Sequence, residues 1–186
     1  MSKMFSDLNK KKITYGIIIL FIMSALLIHL MNVPIFSLNI HGELSESFKT
    51  VDELKQKADI IVEADVVKAN SIKYNNVVFT LSDVVIKKTY KGHLQNNEYI
   101  KILETGGVYN NIEHTFEGQK TLKRQEKAIL FLKKYVGPVT KDQAYTVLGV
   151  YQGKFNLDSS GNIVSKNLEY TTQLDLITNK NELNLE

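Results

Sequence analysis

A chain of 186 residues without a single cysteine has room for one membrane span and one domain, and it excludes disulfide scaffolds, thiolate metal sites, cysteine nucleophiles and cysteine-linked lipid anchors. The net charge of +3 sits wholly in residues 1–12, where Lys3, Lys10, Lys11 and Lys12 stand against Asp7; from Ile13 onward nineteen basic residues balance nineteen acidic ones. A nucleic-acid binder carries its excess charge on the binding domain, so nucleic acid is not an expected partner.

Residues 13–33 are a run of twenty-one without Asp, Glu, Lys or Arg. Built as a helix, the run is about 31 Å long, which matches the hydrocarbon core of a bilayer. A helix apolar on every side has no face to give to water, and a chain this small builds no interior able to enclose it. The lipid bilayer is therefore the expected partner of this segment. Lys10, Lys11 and Lys12 abut its near end, and no Lys or Arg follows its far end until Lys49. The positive-inside rule then puts the N-terminus in the cytoplasm and the C-terminus outside the cell membrane. The rival is a cleaved signal peptide, but Ile28-His29-Leu30-Met31-Asn32-Val33-Pro34 offers a poor cleavage site. The expected divisions are a cytoplasmic tail (1–12), a span (13–33), a tether (34–49) and an extracytoplasmic domain (50–186).

Thr50-Val51-Asp52-Glu53 fits a helix-capping box, and Val51, Leu54 and Ala58 share the inner face of the short helix it opens. Period-two patterning then predicts strands at 60–67, 77–90, 99–104, 128–135 and 144–152, with a hairpin joining 154–157 to 162–165. Within 77–90 the apolar positions change parity, from Val77, Phe79 and Leu81 to Val84 and Ile86. Reading both sets as buried requires a bulge, and bulges bend strands around small barrels. Residues 108–125 read as a long exposed loop, and 167–186 as ambiguous between helix and strand. The predicted class is mainly β: a small closed or partly open barrel of about six strands, OB-like, with a β-sandwich as the alternative.

Ala58-Asp59-Ile60-Ile61-Val62-Glu63-Ala64-Asp65-Val66-Val67, Phe79-Thr80, Lys91-Gly92, Thr105-Gly106-Gly107, Ala128-Ile129-Leu130-Phe131-Leu132 and Tyr151-Gln152-Gly153-Lys154-Phe155 together resemble a family of membrane-anchored Gram-positive envelope proteins without an assigned activity. The resemblance covers about residues 50–165. The layout is also similar to the OB-type barrel of netrin modules and tissue inhibitors of metalloproteinases. Those inhibitors work through an N-terminal cysteine and disulfides that this chain lacks. What the resemblance implies is a fold and an extracytoplasmic address.

There is no H-E-x-x-H, no phosphate-binding glycine loop and no G-x-S-x-G. No cofactor is expected, and the leading reading is a non-enzymatic interaction module whose partner is another envelope protein or a cell-wall glycan. Its expected contact residues are Thr105, Gly106 and Gly107, with Tyr109, Glu113 and His114 in the following loop. Paired glycines at a strand end can present bare N–H groups to an anion or a partner's edge strand, although a corner between strands is the simpler reading. The alternative, a metal- or carboxylate-dependent enzyme, would bring Glu104, Glu113 and His114 onto one metal. A further alternative makes the chain an accessory subunit of an envelope sensor. Tyr135, Tyr145, Tyr151 and Tyr170 are candidates for stacking on sugar.

Overall fold

The computed structural model describes residues 2–164 and 173–185, with side chains from Lys12 onward. Tyr170 lies outside the described residues, as do the side chains of Lys10 and Lys11. The chain is mainly β, with a single long N-terminal helix.

Helix α1 (Ser2–Leu30) joins the expected tail and span into one rod. Its stretch Lys12–Leu30 is long and apolar enough to cross a membrane, and none of it is buried in the protein; a signal sequence meets the same description. The helix stops at Asn32, which takes the left-handed conformation at φ 50°. Val33 N–H donates to Ile28 O and Asn32 N–H to His29 O, at 3.2 and 3.1 Å. Those two bonds close a Schellman cap, and Pro34 beyond it cannot extend the helix.

Strand β1 (Phe36–Ile40) follows, inside the stretch read as a tether. Helix α2 (Val51–Lys57) then forms as its box predicts: the Thr50 hydroxyl accepts from Glu53 N–H, and Leu54 is fully buried. The Glu53 carboxylate accepts from Lys49 N–H at 2.6 Å, one residue earlier than the box requires.

Five strands pair in a ring. β2 (Ile60–Tyr74), β3 (Val77–Lys91) and β4 (Tyr99–Thr105) form an antiparallel meander, β4 pairs in parallel with β8 (Ala144–Val147), β8 pairs with β7 (Lys127–Lys134), and β7 returns to β2. β9 (Lys154–Leu157) pairs with Lys127–Leu130 of β7, on the edge whose other end pairs with β8. The ring interior holds Val62, Ala64, Val84, Ile86, Ile102, Leu130 and Leu132. A second core lies outside, where α2 and the C-terminal residues Leu174, Ile177 and Leu183 cover Ile61, Ile129 and Phe131. β7 is buried on both faces, which is why 128–132 reads as one unbroken apolar run.

Four expectations need correction. The parity change in β3 is not a change of facing: Val78, Thr80, Ser82, Val84 and Ile86 form one continuous buried row. At that point the irregularity lies in the partner strand, where Val66 pairs with Val84 and Lys68 with Asp83, leaving Val67 unmatched; the irregularities of β3 itself come later, at Lys87 and Tyr90. Residues 108–125 are not a loop. They carry most of β5 (Gly107–Tyr109) and all of β6 (Ile112–Phe116), which with β1 make a second, three-stranded sheet. The strand expected at 144–152 ends at Val147, because Gly149 and Val150 turn the chain at φ 58° and 63°. Among the described residues the hairpin expected across Asp158–Gly161 is reduced to one bridge, Leu157 with Ile163, and Ser165 of its second arm lies outside them.

Candidate functional site

The sequence Gly106-Gly107 sits where β4 leaves the ring and the chain enters the small sheet as β5. Both glycines have positive φ, 106° and 119°. A Cβ on Gly107 would collide with the hydroxyls of Thr80 and Ser71, and one on Gly106 would come within 2.6 Å of His114 O. Gly106 N–H donates to Val78 O at 2.8 Å, and Gly106 O accepts from the Thr80 hydroxyl. The two glycines form a corner between β4 and β5. The Gly106 N–H is spoken for and offers nothing to an anion. Thr105 is half-buried, paired with Phe79 at the end of β4.

The turn Asn110-Asn111 closes the β5–β6 hairpin with both residues at positive φ, 51° and 61°, in the pattern of a two-residue type I′ turn. Asn111 is 8% exposed because it serves the helix exit. Its amide Nδ2 donates to Ile28 O and Val33 O at 3.0 and 2.8 Å, and its Oδ1 lies 3.2 Å from His29 Nδ1. Its N–H donates to Asn32 Oδ1, and its carbonyl accepts from Ile35 N–H. Asn32 Nδ2 in turn donates to Val108 O at 3.0 Å. One side chain thus adds a second donor to Ile28 O, already bonded to Val33 N–H, and satisfies the carbonyl of Val33 just past the helix end. Tyr109, half-buried, stands beside this joint in the pair Tyr109–Ile112.

Between the corner, the joint and the stretch after β6 lies a cleft of about 510 Å³. Met31, Asn32 and Pro34 border it from the helix exit, Ser71 and Thr80 from the ring, and Gly107, Glu113 and His114 from the small sheet; Thr121, Lys123 and Arg124 complete it. Of the six residues expected to make contacts, three border this cleft, while Thr105, Gly106 and Tyr109 do not.

Glu113 is 7% exposed and bound to Lys120 at 2.9 Å and Lys123 at 2.7 Å. Burial pushes its carboxyl up, but the two ammonium groups outweigh that and hold it below the ordinary carboxylate value. Glu104 is also buried and bonds to Lys154 at 2.6 Å while accepting from Leu122 N–H at 2.8 Å; Lys154 donates onward to Lys120 O. Both carboxylates are therefore committed to lysines. Among the described residues no group of three His, Asp or Glu side chains is placed to hold a metal ion, so the shared site expected of Glu104, Glu113 and His114 is not formed.

A second cleft, of about 630 Å³, is bordered by Val67, Lys68 and Asp83, and of the candidate residues singled out from the sequence only Tyr145 lines it. Tyr99 and Tyr145 border it, with Lys101 bonded to Asp83 at 2.6 Å and lying 3.5 Å from Asp142. The hydrogen bond to Asp83 is the main reason the Lys101 ammonium is held above its ordinary value. Of the other tyrosines, the Tyr135 hydroxyl accepts from Val139 N–H, and burial pushes the Tyr151 phenol up.

No protein-family model matches the chain, and no curated protein matches it.

Proposed function

We propose that this chain is a membrane-tethered binding module, retained on the outer face of the cell membrane, that has no catalytic centre of its own. The observation that carries the reading is the Asn111 joint. A signal sequence is discarded, whereas here the helix exit is bonded to a buried side chain of the domain, which supports a retained anchor. Lys10, Lys11 and Lys12 before the span, with no cation after it until Lys49, support a cytoplasmic N-terminus. The ring order β2-β3-β4-β8-β7, with its parallel β4–β8 pair, supports a small OB-type barrel as the scaffold. The cleft at the helix exit is then the primary ligand site, at the level of the membrane surface.

Protease added to intact cells expressing the full chain tests the topology. Loss of a C-terminal epitope, with the membrane-bound remnant retaining residue 1 by mass, is the expected result. A C-terminal portion that is spared, or a mature product beginning after residue 30, overturns it.

A second reading, favoured by the exposed Tyr99 over the second cleft, is glycan binding there. Stacking on sugar would make Tyr99→Ala lose retention on purified cell-wall polysaccharide; equal retention of the two proteins removes this reading.

A further inference from the structure

The cleft at the helix exit has a chemistry of its own. Two cations, Lys123 and Arg124, line it with one carboxylate, Glu113, which Lys123 and, from outside the lining, Lys120 already neutralise. Arg124 lines the cleft, is exposed, and makes no ion pair or hydrogen bond among the described residues. Thr121 lines it too; it is 7% exposed, and its hydroxyl likewise has no hydrogen-bond partner among the described residues. Ser71 adds a second hydroxyl, shared with Thr80 at 3.1 Å. The cleft therefore has surplus positive charge, a guanidinium without an anion and a hydroxyl without a protein partner among the described residues.

Its position narrows the ligand. Met31, Asn32 and Pro34, the residues that follow the span, form one wall. Just beyond them, Phe36 and Leu38 on β1 are 71% and 51% exposed, an apolar edge continuous with the end of the helix. Side chains of this kind settle at the boundary between acyl chains and headgroups, which sets the cleft among the headgroups. Planar guanidinium groups match phosphate oxygens with two hydrogen bonds, and hydroxyls complete such sites.

We infer that this cleft binds a phosphate group, with Arg124, Lys123 and Thr121 as its donors. The inference rests on the membrane-tethered reading for its choice of source, a lipid phosphodiester at the outer surface rather than free phosphate. The phosphate chemistry itself does not depend on that choice.

The test uses the full-length chain in dodecyl maltoside micelles, which contain no phosphate. Dioctanoyl phosphatidylglycerol, dioctanoylglycerol and inorganic phosphate are titrated separately by calorimetry. The expected result is one phosphatidylglycerol per chain, no binding of dioctanoylglycerol, and weaker binding of inorganic phosphate that competes with the lipid. Lys123→Gln with Arg124→Gln should weaken binding by about tenfold or more, the worth of one or two charge-assisted hydrogen bonds. Thr121→Val should weaken it severalfold, Arg124→Lys should retain part of it, and Lys57→Gln, on the far helix α2, should leave it unchanged. Near-ultraviolet circular dichroism of each variant separates lost binding from lost folding.

Binding of inorganic phosphate alone, sensitive to the same variants, would uphold the phosphate site and remove the lipid source. Failure of both phosphate-bearing probes overturns the site, as does an equal loss from Lys57→Gln. The protease result on intact cells is independent of these titrations, so failure of the tether and failure of the phosphate site are told apart.

Discussion

Gly107 shows how one residue type can be dictated by its backbone angle and two neighbours at once. Its φ of 119° favours glycine, and the space a Cβ would need is filled by Thr80 and Ser71. Gly107→Ala should cost about 2–4 kcal/mol, since backbone strain and overpacking add. Gly118→Ala, at φ 73° with nothing within 4 Å, should cost only about 1–2 kcal/mol for the strained backbone. Thermal melts of the two variants side by side check the difference. Glu113 supplies a pH signature at the same scale. Its folded carboxyl titrates below the ordinary 4.5, so the stability it adds is complete above that value and disappears as pH falls through the lowered one. Glu113→Gln should be less stable near neutrality and should lose less stability than the wild type between about pH 5 and pH 3. Melting temperatures across that range decide it; identical acid limbs would contradict the ion-paired geometry.

Among elements, the informative one is the stretch from β5 to residue 124. Two polar clamps hold it down: Asn111 binds its hairpin to the helix exit, and the Glu104–Lys154 pair grips the backbone at Leu122 and Lys120. A buried ion pair is weak evidence for stability, because desolvation offsets much of the attraction, but removing one partner leaves a stranded charge. Glu104→Leu and Lys154→Met should each cost about 3–5 kcal/mol, while the double variant should cost clearly less than their sum. Urea unfolding of the four proteins reads the coupling, and simple additivity would show that the pair is not the clamp described. The alternation in β6 is inverted for the same reason. Glu113 and Thr115 are its buried residues, while Ile112 and Phe116 are only half-buried.

At the scale of the whole molecule, the two cores draw on residues from Phe48 onward and use nothing from α1. The ring should therefore fold without the helix, whereas the small sheet should not keep its order, because β1 and Asn111 lose the helix exit they are built on. Deleting residues 2–30 is expected to leave amide-exchange protection in β2 and β7 unchanged and to lower it in β5 and β6. Mass spectrometry after deuterium exchange measures both regions at once, and full protection of 107–116 in the deletion would mean that the joint does not order the hairpin.

Some of this was decided by local order alone. The long apolar helix, α2 with its Thr50 cap, the mainly β character and the approximate positions of the ring strands follow from the spacing of apolar residues, because each buries one face in a fixed period. The small sheet escaped that logic. β6 turns Glu113 inward to Lys120 and Lys123 and Thr115 inward to Asn39, so its pattern reads as loop. The chemistry at the helix exit is beyond any one-dimensional reading: Asn111 lies seventy-eight residues or more from the carbonyls it binds, and Arg124, Thr121 and Ser71 border one cleft only because a ring of strands closes. Periodicity records which residues avoid water, whereas the pairing of polar groups across the fold depends on which segments the closed ring brings side by side.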